Sequence, residues 1–269
     1  MAQGGMNRAA GPLLLAALLF HVREVRAYRP FDGTDADVTA RGEFELELGP
    51  AHFYALGGNR YLIAPATVLN LGIAKNMELV VDFQQFVGLQ PVWNESRVRL
   101  LDTDVLLKWV LRPGILQGET GPSIALESGP LLPEIGAETG FGAQANFIFS
   151  YRWPAGSVHM NELGAYARSG NLDLFSSVIL EGPIDWAVRP VSEAFVEHEF
   201  GEGSTYSVLV GAIWSVRDSL ALDVGFRGAL VDGTRAEEVR LGFTWAIPIW
   251  EPDDAGAKKS ARLGPGSRR

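Results

Sequence analysis

The 269-residue chain contains no cysteine, which removes disulfides, thiolate metal sites and cysteine nucleophiles in one step. Its four histidines are dispersed and form no metal constellation, so the sequence calls for no metal and no cofactor. Positive charge is scarce: 23 Lys and Arg stand against 32 Asp and Glu, a formal charge of -9, and nucleic acid is a poor partner for a chain of that sign. Beyond residue 27 no uninterrupted apolar run reaches the roughly 20 residues of a membrane helix. A membrane-spanning form of this chain must therefore be a β-barrel.

The one candidate export element is at the start. Arg8 precedes an apolar run from Ala9 to Val22, and Val25-Arg26-Ala27 ends in a small residue, the layout of a secretory signal peptide over residues 1–27. As a membrane anchor the run is too short. Removing it takes away Arg8, Arg23, Arg26 and Glu24 and leaves a net charge of -11.

What the chain has in abundance is alternation. From Glu238 to Ile247, Val239, Leu241, Phe243, Trp245 and Ile247 share one parity, while Glu238, Arg240, Gly242, Thr244 and Ala246 share the other. Successive strand side chains point to opposite faces, so such a strand meets two different solvents. The pattern recurs. Glu43, Glu45 and Glu47 alternate with Phe44, Leu46 and Leu48, and Glu78, Asp82 and Gln84 with Leu79, Val81 and Phe83. Over 101–112, Asp102, Asp104, Lys108 and Arg112 oppose Leu101, Thr103, Val105, Leu107, Trp109 and Leu111. Leu106 and Val110 interrupt that polar face and admit a helical reading, but Arg112-Pro113-Gly114 ends the segment as a strand. Further strands are expected over 61–73, 123–128, 141–153, 158–167, 174–181, 186–199, 206–216 and 220–230.

The count is about twelve, an even number in the range of outer-membrane barrels. A soluble sandwich alternates too; the near-absence of charge on the apolar parity, strand lengths of about ten residues and the export signal favour the barrel. The fold class expected is all-β, an antiparallel transmembrane β-barrel over 41–250. Residues 28–40 read as a polar, solvated N-terminal arm, because Asp32, Asp35 and Asp37 lack the calcium-loop spacing. Residues 251–269 read as a disordered periplasmic tail. Connections near Lys75, Pro154, Pro183 and Asp218 look very short and those around 50–60, 88–96, 130–139 and 232–236 longer, as in a barrel with both termini in the periplasm. The link after Arg112 fits that scheme less well.

A set of phrases adds a resemblance: Arg29-Pro30-Phe31, Glu45-Leu46-Glu47-Leu48-Gly49, Leu69-Asn70-Leu71-Gly72, Gly121-Pro122-Ser123-Ile124-Ala125, Ser150-Tyr151-Arg152-Trp153, Leu180-Glu181-Gly182-Pro183 and Gly242-Phe243-Thr244-Trp245. With these the chain resembles, over most of 29–248, a family of proteobacterial outer-membrane barrels named as transporters of the MetA pathway of phenol degradation. The resemblance implies passage of aromatic or other hydrophobic small molecules and supplies no catalytic or binding residues. The charged extension behind Trp250 departs from barrels that end on a final aromatic.

On the inward parity the lumen-lining candidates are Glu43, Glu45, Glu47, Asp82, Asp102, Asp104, Lys108, Arg112, Arg152, Arg189, Glu193, Asp223, Arg227 and Arg240, with Glu78, Glu127, Glu197 and Glu238 on the same side. Two readings compete: a polar conduit whose charges select solutes, or ion pairs that fill a narrow lumen. Arg189 with Glu193, and Asp223 with Arg227, suggest ladders along single strands. A lipid-modifying enzyme would need a Ser and a His near the lipid edge; His198 and Ser207 come closest but fall on opposite parities without a third group. The leading expectation is a passive outer-membrane channel, not an enzyme, with outer-membrane lipid and small-molecule solutes as partners. A structural or interaction barrel with a blocked lumen is the alternative.

Overall fold

In a computed structural model, residues 29–90, 96–137, 140–168 and 170–250 are described; the expected signal peptide (1–27) and the tail (251–269) lie outside them. Twelve strands follow in order: β1 Glu43–Leu56, β2 Asn59–Ala74, β3 Met77–Gly88, β4 Val98–Arg112, β5 Ser123–Leu131, β6 Gly142–Trp153, β7 Gly156–Arg168, β8 Asn171–Glu181, β9 Val188–Glu199, β10 Gly203–Arg217, β11 Leu220–Val231 and β12 Thr234–Pro248. Each pairs antiparallel with its sequence neighbours, and β1 closes on β12 from Glu43 opposite Pro248 to Leu56 opposite Ala236. The result is a closed up-and-down barrel. The one helical element among the described residues is a 3-10 turn at Ile115–Gln117, and no helix is long and apolar enough to cross a membrane.

The two parities face two media. Tyr206, Val208, Val210, Trp214 and Val216 on β10, and Leu107, Trp109 and Leu111 on β4, are exposed on the outer wall. Lys108, Arg189, Glu193, Glu238 and Arg240 are buried inside it. Charges inside and large apolar groups outside are the reverse of a soluble sandwich, and only a lipid surround makes that arrangement favourable. On β4, Leu106 and Val110 point inward and are almost fully buried, so the helical reading of that segment is excluded.

The described tryptophans mark one edge of the apolar band. Trp109, Trp153, Trp186, Trp214, Trp245 and Trp250 are 40 to 54 % exposed and all lie at the end where β1 starts and β12 finishes, hereafter the terminal end. Phe53, Phe141, Phe200 and Tyr206 stand exposed at the far end. An indole ring is at home where apolar chains give way to polar headgroups.

The expected rule of short and long connections needs correction. Residues 50–56 and 59–60 belong to β1 and β2, which meet in a two-residue turn at Gly57 (φ 54) and Gly58 (φ 96). Asp232 (φ 50) and Gly233 (φ 76) do the same between β11 and β12. Two successive residues with positive φ make the turn whose twist matches the flanking strands. In β1, Pro50 hides the continuation: a bulge between Leu48 and Ala51 carries the strand past it and shifts the inward parity from Glu47 to His52. The connection through Pro183 is six residues, 182–187, not a tight turn, and the 113–122 link is also long and also at the terminal end.

A wall with no unpaired edge resists detergent denaturation. Protein folded in detergent should therefore run faster on a gel when unheated in dodecyl sulfate than after boiling. Identical mobility, or a monodisperse monomer in detergent-free buffer, would overturn the transmembrane barrel.

Candidate functional site: an occupied lumen

Residues 29–40 are not a solvated arm. They run inside the barrel near its terminal end and touch one strand after another. Arg29 Nη2 donates to His52 Nε2 of β1 at 2.5 Å, and Arg29 Nε lies 3.7 Å from Asp223 of β11. The Pro30 carbonyl accepts from Arg240 Nη1 of β12 at 2.7 Å. The Asp32 and Gly33 amides both donate to the Glu193 carboxylate of β9, each at 2.8 Å. Thr34 gives its amide to Asn161 Oδ1 and its carbonyl to Asn161 Nδ2, and Ala36 donates to Ser150 Oγ. Gln117 Nε2, from the 113–122 link, donates to the Ala36 carbonyl at 2.8 Å and to Asp37 Oδ1 at 3.0 Å. The Thr39 amide donates to Glu78 Oε2 at 2.6 Å.

A buried backbone must place its N–H and C=O groups somewhere. Here lumen side chains on β3, β6, β7, β9 and β12 receive them. Two apolar contacts add to the seat: Phe31 packs against Val191, Ile213, Ala221 and Ala246, and Ala36 against Ala125 and Ile148. Gly33 is required by space, since a Cβ there would collide with Ser177 Oγ and Asn161 Nδ2.

Above this segment, toward the far end, lies a cavity of about 550 Å³ floored by Arg29 to Thr34. Its lining reaches Arg168 and Glu199 at the far rim and contains twelve carboxylates against five Lys and Arg. The charges next to the segment are compensated. Arg240 Nη2 reaches both Glu238 Oε2 and Asp32 Oδ1 at 2.9 Å, Arg227 Nη1 sits 3.1 Å from Glu238 and 3.5 Å from Asp32, and Lys108 Nζ lies 3.5 Å from Glu78 while donating to Thr34 Oγ1.

The sequence-derived residues divide as follows. Glu45, Glu47, Asp104, Lys108, Arg189, Glu193, Asp223 and Arg240 are buried inside the wall, Glu47 accepting from Asn70 Nδ2 at 2.8 Å. Asp82, Asp102 and Arg227 line the cavity, while Glu43 and Arg152 are half-buried at the terminal rim, the latter donating to Ser157 Oγ at 3.1 Å. Arg112 does not line the lumen: it is exposed at the terminal rim, and its guanidinium bonds the Thr120 and Pro122 carbonyls of the adjoining link. The single-strand ladders also fail. Arg189 pairs with Glu181 of β8 at 2.9 Å, Arg227 with Glu238 of β12, and Asp223 faces Arg29. Residues four apart on a strand are separated by about 13 Å, whereas residues opposite each other on paired strands are about 5 Å apart, so cross-strand partners win.

His198 bonds Ser204 through Nδ1 at 2.9 Å, and Ser207 is a buried residue opposite Phe195, so no His198–Ser207 couple exists. The sequence reading missed Arg29, His52 and the role of Asn161. Among the described residues, no three His, Asp or Glu side chains converge to hold a metal ion.

The fold and its contents define a class: a closed twelve-stranded transmembrane β-barrel of the outer-membrane kind, with part of its own chain in the lumen. Known structures agree. The chain is similar to the COG4313 outer membrane channel from Pseudomonas putida F1 (TM-score 0.57, 10% identity, 81% of this chain and 100% of that one). It is also similar to the KdgM porin in complex with disordered oligogalacturonate (TM-score 0.51, 10% identity, 76% and 99%). Identities this low carry the fold alone. No family model and no curated protein matches the sequence.

Proposed function

We propose that the protein is a passive channel for small molecules in the bacterial outer membrane, with its termini on the periplasmic side and the 29–40 segment setting how much passes. The observation that carries this reading is the 550 Å³ cavity that reaches the far rim and is floored by the chain's own N-terminal segment. A wall built for structure alone has no need of such a space, because smaller barrels fill their interiors with side chains. The resemblance in sequence narrows the reading to the MetA-pathway type of phenol-degradation transporter, with aromatic or other hydrophobic solutes. An enzymatic role is not part of the proposal, because in the one couple the sequence offered His198 bonds Ser204 and Ser207 stands opposite Phe195. Uptake of phenolic and aliphatic solutes into liposomes bearing the purified protein tests it, and absence of uptake for every solute would favour a structural barrel. That second reading draws on one specific observation, the dense set of ion pairs and backbone contacts that fills the terminal half of the lumen.

The same reading fixes the sign of ion selectivity. With twelve carboxylates to five bases around the cavity, and low-dielectric walls that focus the field, any residual conductance should prefer cations. The preference should fade as salt screens it, since the Debye length falls from about 10 Å at 0.1 M to about 3 Å at 1 M. A reversal potential of anionic sign in planar bilayers would contradict the assignment of faces.

A further inference from the structure

The charges of the cavity are compensated unevenly: Lys108 pairs with Glu78 beside the segment, but the acids beyond that pair on β3, β4 and β5 have no such base. Around β11 and β12, Arg227 and Arg240 hold Glu238 and Asp32, and at the rim Arg168 meets Glu134 at 2.5 Å. The wall made by β3, β4 and β5 is different. Asp82 and Asp104 stand directly opposite each other on β3 and β4, and Glu127 follows on β5. Lys108 is in register with Glu127 and its charge reaches that carboxylate, but its ammonium lies 3.5 Å from Glu78 and donates to Thr34 Oγ1, so Asp82 and Asp104 are left without a close base. None of Asp82, Asp104 and Glu127 forms an ion pair with a described residue. Asp104 is 7 % exposed, accepts from Gln144 Nε2 at 3.2 Å through one oxygen, and has no partner for the other.

A second observation does not depend on the acids. Asn161 is fixed in orientation, because its Oδ1 accepts the Thr34 amide and its Nδ2 donates to the Thr34 carbonyl. Asn146 must therefore turn its own Nδ2 to Asn161 Oδ1, at 2.7 Å. That leaves Asn146 Oδ1, opposite Glu127 in register, without any donor, on a residue 7 % exposed that lines the cavity. A buried acceptor without a donor costs about 1–3 kcal/mol, and carboxylates without counter-charge cost more. One guest would relieve both: a cation that also donates several hydrogen bonds. A bare metal ion does not fit the described residues, whose carboxylates do not converge, and the 550 Å³ space lies in the range of about 300–1,000 Å³ that small-molecule sites occupy.

We propose that the wall formed by Asp82, Asp104, Glu127 and Asn146 is a binding subsite for the ammonium end of a small organic amine, which makes amines a solute class of this barrel. The ammonium donates to Asn146 Oδ1 and to Asp104, and the carboxylates supply the counter-charge. The proposal rests on the channel reading for its biological sense, but binding and passage can be measured apart.

The probe is 1,4-diaminobutane, titrated calorimetrically into detergent-solubilised full-length protein and, separately, followed as uptake into liposomes. The wild type should bind it saturably. Asp82→Asn with Asp104→Asn should weaken binding at least tenfold, about 1.4 kcal/mol, and Asn146→Leu should weaken it as well. Glu237→Gln, at an exposed site on the far rim, should leave it unchanged. Heat-modifiable gel mobility establishes that each variant is folded; should the double variant not fold, the isosteric Asp104→Asn alone carries the comparison, with a smaller loss. Equal affinity in the folded variants, or a signal no larger than sodium gives at the same ionic strength, would overturn the subsite. Saturable binding without flux of the amine or of any other solute would keep the subsite and remove the channel, while amine flux without saturable binding would keep the channel and overturn the subsite.

Discussion

Removing residues 29–40 while keeping 1–28 should raise the conductance of the reconstituted barrel by an order of magnitude or more. The wall does not need the segment: all twelve strands pair with one another and close without it. A barrel of this size lies between the eight strands whose interior side chains fill and the sixteen or so that leave an aqueous channel, so about twelve strands need extra material to be closed. That material is the circuit from Arg29 at β1 and β11, through Glu193, Asn161 and Ser150, to Glu78. Once it is gone, its lumen partners meet water, which satisfies them at little cost. A milder variant makes the same point without truncation. Gly33→Leu places a side chain where Ser177, Asn161 and Glu193 already stand, so the segment must lift and the conductance should rise by a smaller factor. Planar-bilayer recordings at matched protein density check both, and a folded deletion variant with wild-type conductance would falsify the gate.

The barrel was legible in the sequence because its physical demand is simple and repeated. Each strand separates lipid from a polar interior, so Glu238 to Ile247 or Leu101 to Arg112 carries the whole message in its own residues. The failures fall where the message is not local. Pro50 breaks the alternation of β1, and only the bulge seen against β12 carries the strand on to Leu56. The link after Arg112 looked out of place because its purpose lies elsewhere: Gln117 reaches into the lumen to hold Ala36 and Asp37.

The lumen segment itself gave no signal that could be read. A run such as Asp32-Gly33-Thr34-Asp35-Ala36-Asp37 has the same composition whether its amides are satisfied by water or by Glu193 and Asn161. The side chains that take the amides of residues 32, 33, 34 and 36 come from 114 to 161 positions later in the chain. The glycine at 33 is the nearest thing to a clue, and only the neighbours supplied by three strands explain it. Ion pairing was illegible for the same reason. Arg227 chooses between Asp223 on its own strand and Glu238 on the next, and the choice depends on the β11–β12 register, which places Arg227 opposite Glu238.

Arg240 is where wall and segment meet, and Arg240→Met should be the most costly single substitution in the lumen. The guanidinium serves three acceptor groups at once, the Pro30 carbonyl at 2.7 Å, Asp32 at 2.9 Å and Glu238 at 2.9 Å, and Glu238 in turn lies 3.4 Å from His52 Nδ1. Glu238 is 4 % exposed and Arg240 6 %, so removing the base leaves a buried carboxylate with only Arg227 at 3.1 Å and the His52 ring at 3.4 Å to hold it. Breaking such a pair costs about 3–5 kcal/mol, most of it the penalty of the charge left behind. The loss should appear as a lower temperature at which the compact gel band disappears. Adding Glu238→Gln to Arg240→Met should recover part of it, because the stranded charge is then absent as well. Arg235→Ala is the contrast: its pair with Glu237 is 80 % and 60 % exposed, and a surface pair of that kind contributes about 0–1 kcal/mol. Arg240→Met should also raise conductance, since the Pro30 carbonyl and Asp32 lose the donor that anchors the start of the segment. A variant that loses thermal resistance while its conductance stays at the wild-type level would show that Arg240 braces the wall but does not hold the segment in place.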